Sequence, residues 1–242
     1  MRYIIGLHAV EQWVEKSPQG AVLYIAKPTK RNIAVKESAK RNGIKTQNID
    51  LREMDRLCGG EEHKGILLGL PPEKKQKEHD LKTLLEDSGD SALFLLLDGI
   101  TDPRNLGAIL RSAEQFSADA VIIPERRSAA DSPVVSKTSA GADALVPVIS
   151  AVNLSRIMEE IKKYGFWIYG AAMEGISAAQ VNLQGKTALV LGSEGSGLRQ
   201  NIRNHCDELI SIPTSGILDS LNVSVAAGIL LYEVRRQQAR EK

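Results

Sequence analysis

Thr187–Gln200, TALVLGSEGSGLRQ, and Glu208–Val234, ELISIPTSGILDSLNVSVAAGILLYEV, are the segments whose reading decides the fold. Two apolar runs, Ala188–Leu191 and Leu209–Ile212, have the composition of strands buried on both faces, as in a parallel sheet. Each runs into a loop too rich in Gly, Ser and Pro to continue as strand or helix. Open parallel sheets bind ligands outside the carboxyl ends of their strands. Two adjacent loops of this kind are therefore a candidate site. After the second loop, Ser220-Leu221-Asn222 opens a long helix from Val223 to about Arg236. Ser and Asn at a helix start satisfy backbone N–H groups that have no partner within the helix. Val223, Val225, Ala226, Ala227, Ile229, Leu230 and Leu231 leave almost no polar face on its first half, so the helix is expected to be deeply buried.

Upstream, the chain alternates strand and helix. The spacing predicts helices at Leu7–Glu15, Lys30–Arg41 and Arg52–Leu57, with strands at Val22–Ala26, Lys45–Ile49 and Ile66–Leu70. That is a small α/β layer over residues 1–72. Pro71 to Asp80, PPEKKQKEHD, has no apolar periodicity, and residues 73–80 read as a linker. Residues 81–242 form the second unit. It has a helix at Leu81–Leu85 and strands at Ala92–Leu97, Ala120–Ile123, Val146–Ile149 and Phe166–Ala171. A helix at Gly107–Phe116 follows the loop Asp98–Leu106, in which Asn105 is expected at the N-cap. A further helix spans Asn153–Lys163.

The chain of 242 residues carries a net charge of +1 and is 43% hydrophobic, enough for a sizeable core. Residues 1–72 hold 12 Lys and Arg against 8 Asp and Glu, so the basic excess sits in the first unit. Lys27, Lys30, Arg31, Lys36, Lys40 and Arg41 fall on or near one helix, where they suit phosphate contact or a solvated face. No run is long enough to span a bilayer, and Met1–Val10 lacks a signal-peptide pattern. A cytoplasmic protein is expected. Cys58 and Cys206 form no Cys-x-x-Cys pair, and His8, His63, His79 and His205 are scattered. Reduced thiols and no metal are expected. The glycines of Gly192–Gly197 lack the spacing of a dinucleotide fingerprint and the Lys-Ser/Thr ending of a P-loop. They suit close approach of backbone to a flat ligand.

Three segments, DGITDPRNLGAILRSA (98–113), GSEGSGLR (192–199) and IPTSGILDSLNVSVAAGI (212–229), resemble in order the three motifs of the SpoU (TrmH-type) RNA ribose methyltransferases of the SPOUT superfamily. The resemblance spans the whole chain. It is closest to the members that methylate a guanosine ribose in 23S rRNA. It implies an α/β fold: a C-terminal parallel-sheet SPOUT domain with a deep trefoil knot, behind a small N-terminal α/β L30e-like RNA-binding domain. It implies S-adenosyl-L-methionine as cofactor, with Gly192, Ile212 and Leu221 lining it and Glu194 beside it. Ser220 and Asn222 are implied near the reacting ribose, Arg111 as the catalytic residue, and Asn105 as a residue ordering the site. It also implies RNA as partner and a homodimer with both subunits near each active site.

Read without the resemblance, Arg111 is a surface arginine, and Ile212 and Leu221 are core. Arg126, Arg127 and Lys137 are further RNA-facing candidates, and so is His8, although His8 also reads as a helix-entry residue. The resemblance also implies RNA contact by the loop Gly59–Gly65, which by composition alone is an ordinary flexible loop. Thr214 stands where the family commonly has Met, and Asp219 adds a carboxylate before Ser220. A tRNA ribose methyltransferase and a non-catalytic RNA-binding or ribosome-assembly protein on the same fold are the competing expectations. A nicotinamide-dependent dehydrogenase is disfavoured by the glycine spacing.

Overall fold

The computed structural model describes residues 2–59, 62–71, 76–125, 133–139, 142, 145–216 and 220–239. The first unit contains β1 (Arg2–Ile5), α1 (Leu7–Glu15), β2 (Val22–Ile25), α2 (Lys30–Arg41), β3 (Lys45–Asn48), α3 (Leu51–Leu57) and β4 (Ile66–Leu70). Its sheet has the order β1-β4-β2-β3. Only the β2–β3 pair is parallel; β4 runs antiparallel to both β1 and β2. Every residue of β4 is buried, because helices cover both faces of the sheet. Leu68 and Ile66 join Val10, Trp13, Val35 and Ala39 of α1 and α2, while Leu67 joins Met54 of α3. Thr29 and Asp50 cap α2 and α3, accepting from the N–H groups of Asn32 (3.2 Å) and Glu53 (2.7 Å).

The second unit runs β5 (Gln76–Lys77), α4 (Glu78–Glu86), β6 (Leu93–Asp98), α5 (Pro103–Gln115), β7 (Ala120–Pro124), α6 (Pro133–Thr138), β8 (Val148–Ala151) and α7 (Leu154–Lys163). It continues through β9 (Trp167–Ser177), β10 (Thr187–Gly192), α8 (Gln200–Arg203), β11 (Glu208–Ser211) and α9 (Val223–Gln238). Seven strands pair in the order β11-β9-β10-β6-β7-β8-β5, and every neighbouring pair is parallel. Side chains of β6 alternate between two cores. Leu93, Leu95 and Leu97 pack with Leu106, Ile109 and Leu110 of α5 and Leu230, Leu231 and Val234 of α9. Phe94 and Leu96 pack with Leu81 and Leu85 of α4 and Ile157, Met158 and Ile161 of α7. With both faces covered, a strand needs an unbroken apolar run, which is why β6 reads LFLLL before its terminal Asp. Emptying such a position, as Leu95→Ala would, costs about 2–5 kcal/mol.

Four local expectations are corrected. The stretch 73–80 is not all linker: Gln76–Lys77 pairs with β8, and α4 begins at Glu78. Helix α5 starts four residues before Gly107, with Asp102 as its N-cap and Pro103 in its first turn. Pro is preorganised for that position, and the Asp102 carboxylate accepts from the Arg104 N–H at 2.8 Å. Asn105 is therefore inside the helix, buried and free to point away from it. Strand β9 extends six residues beyond Ala171. Its register against β11 jumps between Leu209↔Gly170 and Ile210↔Ile176, so the intervening residues bulge out of the ladder.

The fourth correction concerns α9. Val223, Ala227, Leu230, Leu231 and Val234 are buried, but Val225, Ile229 and Tyr232 are exposed, Tyr232 by 55%. Within one chain the helix covers the sheet and α5 with one face and leaves a second apolar stripe open.

Among the described residues no helix is long and apolar enough to cross a membrane. Among the described residues neither Cys58 nor Cys206 is joined in a disulfide. Arg126, Arg127 and Asp219 lie outside the described residues, as does the side chain of Lys137. His8 is exposed and lies 3.7 Å from Glu11. In the Gly59–Gly65 loop, His63 is an anchor: its Nε2 is 2.8 Å from Asp55 and its Nδ1 accepts from the Gly65 N–H at 3.0 Å.

Candidate active site

The chain leaves β6 toward β7 and β8 on one side and returns to place β9 and β11 on the other, with β10 seated between β9 and β6. The carboxyl ends of β6 and β10, Asp98 opposite Gly192, thus meet where strand order reverses. A cleft of about 580 Å³ opens beside them, within the range of ligand pockets. Leu191, Ile210, Ile212, Val223, Ala226 and Leu230 give it apolar surface, and the turn Ser193–Gly197 gives it backbone polar groups.

That turn is a closed loop. Ser193 and Gly197 exchange backbone hydrogen bonds of 3.1 and 2.9 Å, and the Ser193 and Ser196 hydroxyls share one of 2.6 Å. Gly195 and Gly197 have φ of +84° and +64°, values that side-chain-bearing residues adopt at a cost. At Gly192 a Cβ would sit 2.1 Å from the Gly197 carbonyl carbon, so no larger residue fits there.

Two devices fasten the turn. The first joins three distant segments at its outer side. Asn105 Nδ2 donates to Glu194 Oε1 at 3.0 Å; Asn222 Nδ2 donates to the same oxygen at 2.6 Å and lies 3.0 Å from Asn105 Oδ1. Asn222 also caps α9, its Oδ1 accepting from the Ser224 N–H at 2.9 Å. Glu194 thereby sits at the N-terminus of a 16-residue helix, where a carboxylate is favoured by the helix dipole. The second device, absent from the sequence reading, is Asp98. Its carboxylate is fully buried at the end of β6 and accepts from the Arg199 N–H at 2.9 Å and the Arg199 Nε at 2.7 Å. A charged residue closing an otherwise apolar strand is the sequence signal that marks it.

The residues predicted from the sequence are placed as follows. Gly192, Glu194, Ile212, Ser220 and Leu221 line the cleft, and Asn105 and Asn222 hold Glu194. Arg111 is not in the cleft lining. It is exposed on the outward stripe of α5 with Arg104 and Gln115, and makes no hydrogen bond or ion pair with another described residue. Six helical residues turn about 600°, so it leaves the helix on a different side from Asn105. Ala171–Glu174 of the β9 bulge form a further wall, and Arg203 of α8 pairs with Glu174 there. Among the described residues no group of three or more His, Cys, Asp and Glu side chains could hold a metal.

A parallel sheet with a cleft at its strand-order reversal is the arrangement of a cofactor-binding α/β protein. Residues 92–232 match the model of the SpoU rRNA methylase family, and residues 3–76 match that of the RNA 2'-O ribose methyltransferase substrate-binding domain. The chain belongs to the SpoU rRNA methylase family. It is 41% identical over 241 residues, 98% of this chain and 97% of the relative, to the 23S rRNA (guanosine-2'-O-)-methyltransferase RlmB of Xylella fastidiosa strain 9a5c. A crystal structure of an RNA 2'-O ribose methyltransferase superposes with a TM-score of 0.78 at 25% identity, covering 97% of this chain and 88% of that one. The SpoU methyltransferase AviRb from Streptomyces viridochromogenes, in complex with AdoMet, superposes with a TM-score of 0.77 at 22% identity, covering 97% and 89%. That last likeness is one of fold.

Proposed function

We propose that this protein transfers a methyl group from S-adenosyl-L-methionine to the ribose 2'-hydroxyl of a guanosine in 23S rRNA. The near-full-length relatives support the reaction and the substrate. The observation that carries the reading is the junction of Asn105, Glu194 and Asn222, which locks the glycine turn to α9 at the edge of the cleft. An apolar floor with backbone polar groups fits an adenosine, so the residues present fit this cofactor. The bound cofactor supplies an electrophilic methyl on a sulfonium.

The chain's own residues do the rest. Gly192, Ile212 and Leu221 would hold the adenosine side, and the locked turn would keep that wall fixed while the ribose is positioned. Ser220 and Asn222 border the ribose. Arg111 offers a guanidinium, which donates through its N–H groups and has no acceptor. It grips the phosphate next to the target and makes the 2'-hydroxyl easier to deprotonate, the proton leaving to that phosphate or to water.

The finer architecture belongs to this proposal: a first unit ending with β4 and a second beginning with β5, an L30e-like RNA-binding role for the first, and a trefoil knot in the second. So does a homodimer closed by the open stripe of α9, Val225, Ile229 and Tyr232. Arg111 lies on α5, which packs against α9: a Cβ on Gly228 would stand 3.6 Å from the Ser112 hydroxyl. Pairing two copies through α9 would carry the Arg111 of one chain toward the cleft of the other.

The test is methylation of purified 23S rRNA and tRNA with labelled cofactor, followed by mapping of the product. Label on one guanosine ribose of 23S rRNA is expected. Label on tRNA alone would favour the tRNA alternative. No label on either with a folded protein would favour a non-catalytic RNA-binding role.

A further inference from the structure

S-adenosylmethionine has an apolar adenosine and a zwitterionic amino-acid end, and the two ask for different walls. Among the described residues that line the cleft, three are charged: Glu174, Glu194 and Arg203. Glu194 is committed to Asn105 and Asn222. Glu174 and Arg203 form an ion pair with each other. Their side chains are 58% and 29% exposed, so the pair lies at the solvent edge of the cleft. The Glu174 carboxyl is held below the ordinary carboxylate range by its own backbone N–H and by the Arg203 guanidinium, so it is ionised at neutral pH.

The positions of the two residues are unlike those of a stabilising pair. Glu174 stands on the bulge of β9, out of register with its neighbour strand, and Arg203 ends a helix of four residues. An exposed ion pair adds little to stability, so exchanging this one for another set of opposite charges costs little.

Resting on the cofactor reading above, we infer that Arg203 and Glu174 are the binding residues for the amino-acid end of the cofactor. Arg203 takes the α-carboxylate and Glu174 the α-ammonium, each replacing its neighbour's charge with that of the ligand. A guanidinium matches a carboxylate with two parallel N–H donors, which makes this contact directional as well as ionic.

The experiment is calorimetry on the full chain with S-adenosylhomocysteine and with 5'-methylthioadenosine, which keeps the adenosine and sulfur but has no amino-acid end. Arg203→Gln and Glu174→Gln are each expected to raise the Kd for S-adenosylhomocysteine about tenfold, or about 1.4 kcal/mol. The Kd for methylthioadenosine should change by less than about twofold. Equal weakening of both ligands would assign the pair to the shape of the wall and overturn the inference. Unchanged binding of both, including the case where only RNA binding falls, would overturn it too. A wild-type protein that binds neither ligand would overturn the cofactor reading itself, a result distinct from any of these. Circular dichroism of both variants checks that the fold is kept, and their agreement guards against a change peculiar to one.

Discussion

Asn222 and Glu194, 28 residues apart in the chain, are joined by a 2.6 Å hydrogen bond from Nδ2 to Oε1. The same amide caps α9 with its oxygen. One side chain thus ends the loop after β11, starts the last helix and holds the glycine turn. Asn222→Ala removes its hydrogen bonds to Glu194, Asn105 and Ser224. Loss of a cap costs about 1 kcal/mol, and the Glu194 carboxylate loses one of its two amide donors. The expected result is a modest fall in thermal midpoint, with methyl transfer reduced at least a hundredfold. A variant that keeps more than a tenth of wild-type turnover would separate the junction from the reaction.

Arg199→Ala should strand the Asp98 carboxylate, which among the described residues keeps only the backbone N–H of residue 199 as donor. Leaving a buried carboxylate without its paired charge costs about 3–5 kcal/mol. Urea denaturation should show that loss, while Asp98→Asn, which removes the buried charge, should cost less when combined with Arg199→Ala than the two single changes added together.

Arg235 donates to the carbonyls of Phe116 and Ser91, at 2.8 and 2.9 Å, and to that of Ser117. It holds the chain just beyond α5, where backbone carbonyls have no helical partner. Arg235→Ala is expected to cost about 2–4 kcal/mol, read by the same denaturation. Arg235→Lys should recover only part, since an ammonium cannot span carbonyls set in a fork.

Two buried groups should make stability fall above about pH 9. Burial pushes the Cys206 thiol from 9.0 up to about 11 and the Tyr169 hydroxyl from 10.0 up to about 12. Both are neutral when protonated. Between the unfolded and folded values the unfolded chain binds fewer protons, so stability declines as pH rises. Thermal midpoints should drop through pH 9–11 from Cys206 and through pH 10–12 from Tyr169. Cys206→Ala should remove the first of these steps. At pH 7–8 the same thiol should react slowly with alkylating reagents.

If Arg111 serves the cleft of a second copy, Arg111→Ala and Glu194→Ala should complement. Each alone should be inactive, and Arg111→Ala should still bind S-adenosylhomocysteine with wild-type affinity. Mixed pairs contain one site with both residues intact and should recover about a quarter of wild-type activity at equal mixing, by the statistics of pairing. Mixtures as inactive as their parents would place Arg111 in the cleft of its own chain. Tyr232→Glu, in the open stripe of α9, should yield monomers by light scattering.

Much of the sheet was legible because its strands are buried on both faces and therefore spell unbroken apolar runs, as at Leu93–Leu97 and Ala188–Leu191. The two cleft loops were legible from the Gly and Ser that end those runs. Other features depend on partners far along the chain. Residues 172–177 carry no strand pattern, and they extend β9 only through a shifted register with β11. The buried state of Asp98 depends on Arg199, 101 residues on. Asn105 does not cap α5 because the Asp102-Pro103 pair starts the helix two residues earlier, a signal easily lost in a loop of Gly, Thr and Asp. The open stripe of α9 reads as core in sequence because periodicity reports apolarity and not which surface covers it.

The junction of Asn105, Glu194 and Asn222 spans 89 and 117 residues of sequence. No local stretch can assemble it, and it exists only while the final helix stays docked. Loosening of that helix, well short of global melting, would silence the protein. Heating should therefore extinguish turnover some degrees below the temperature at which the β-sheet itself gives way.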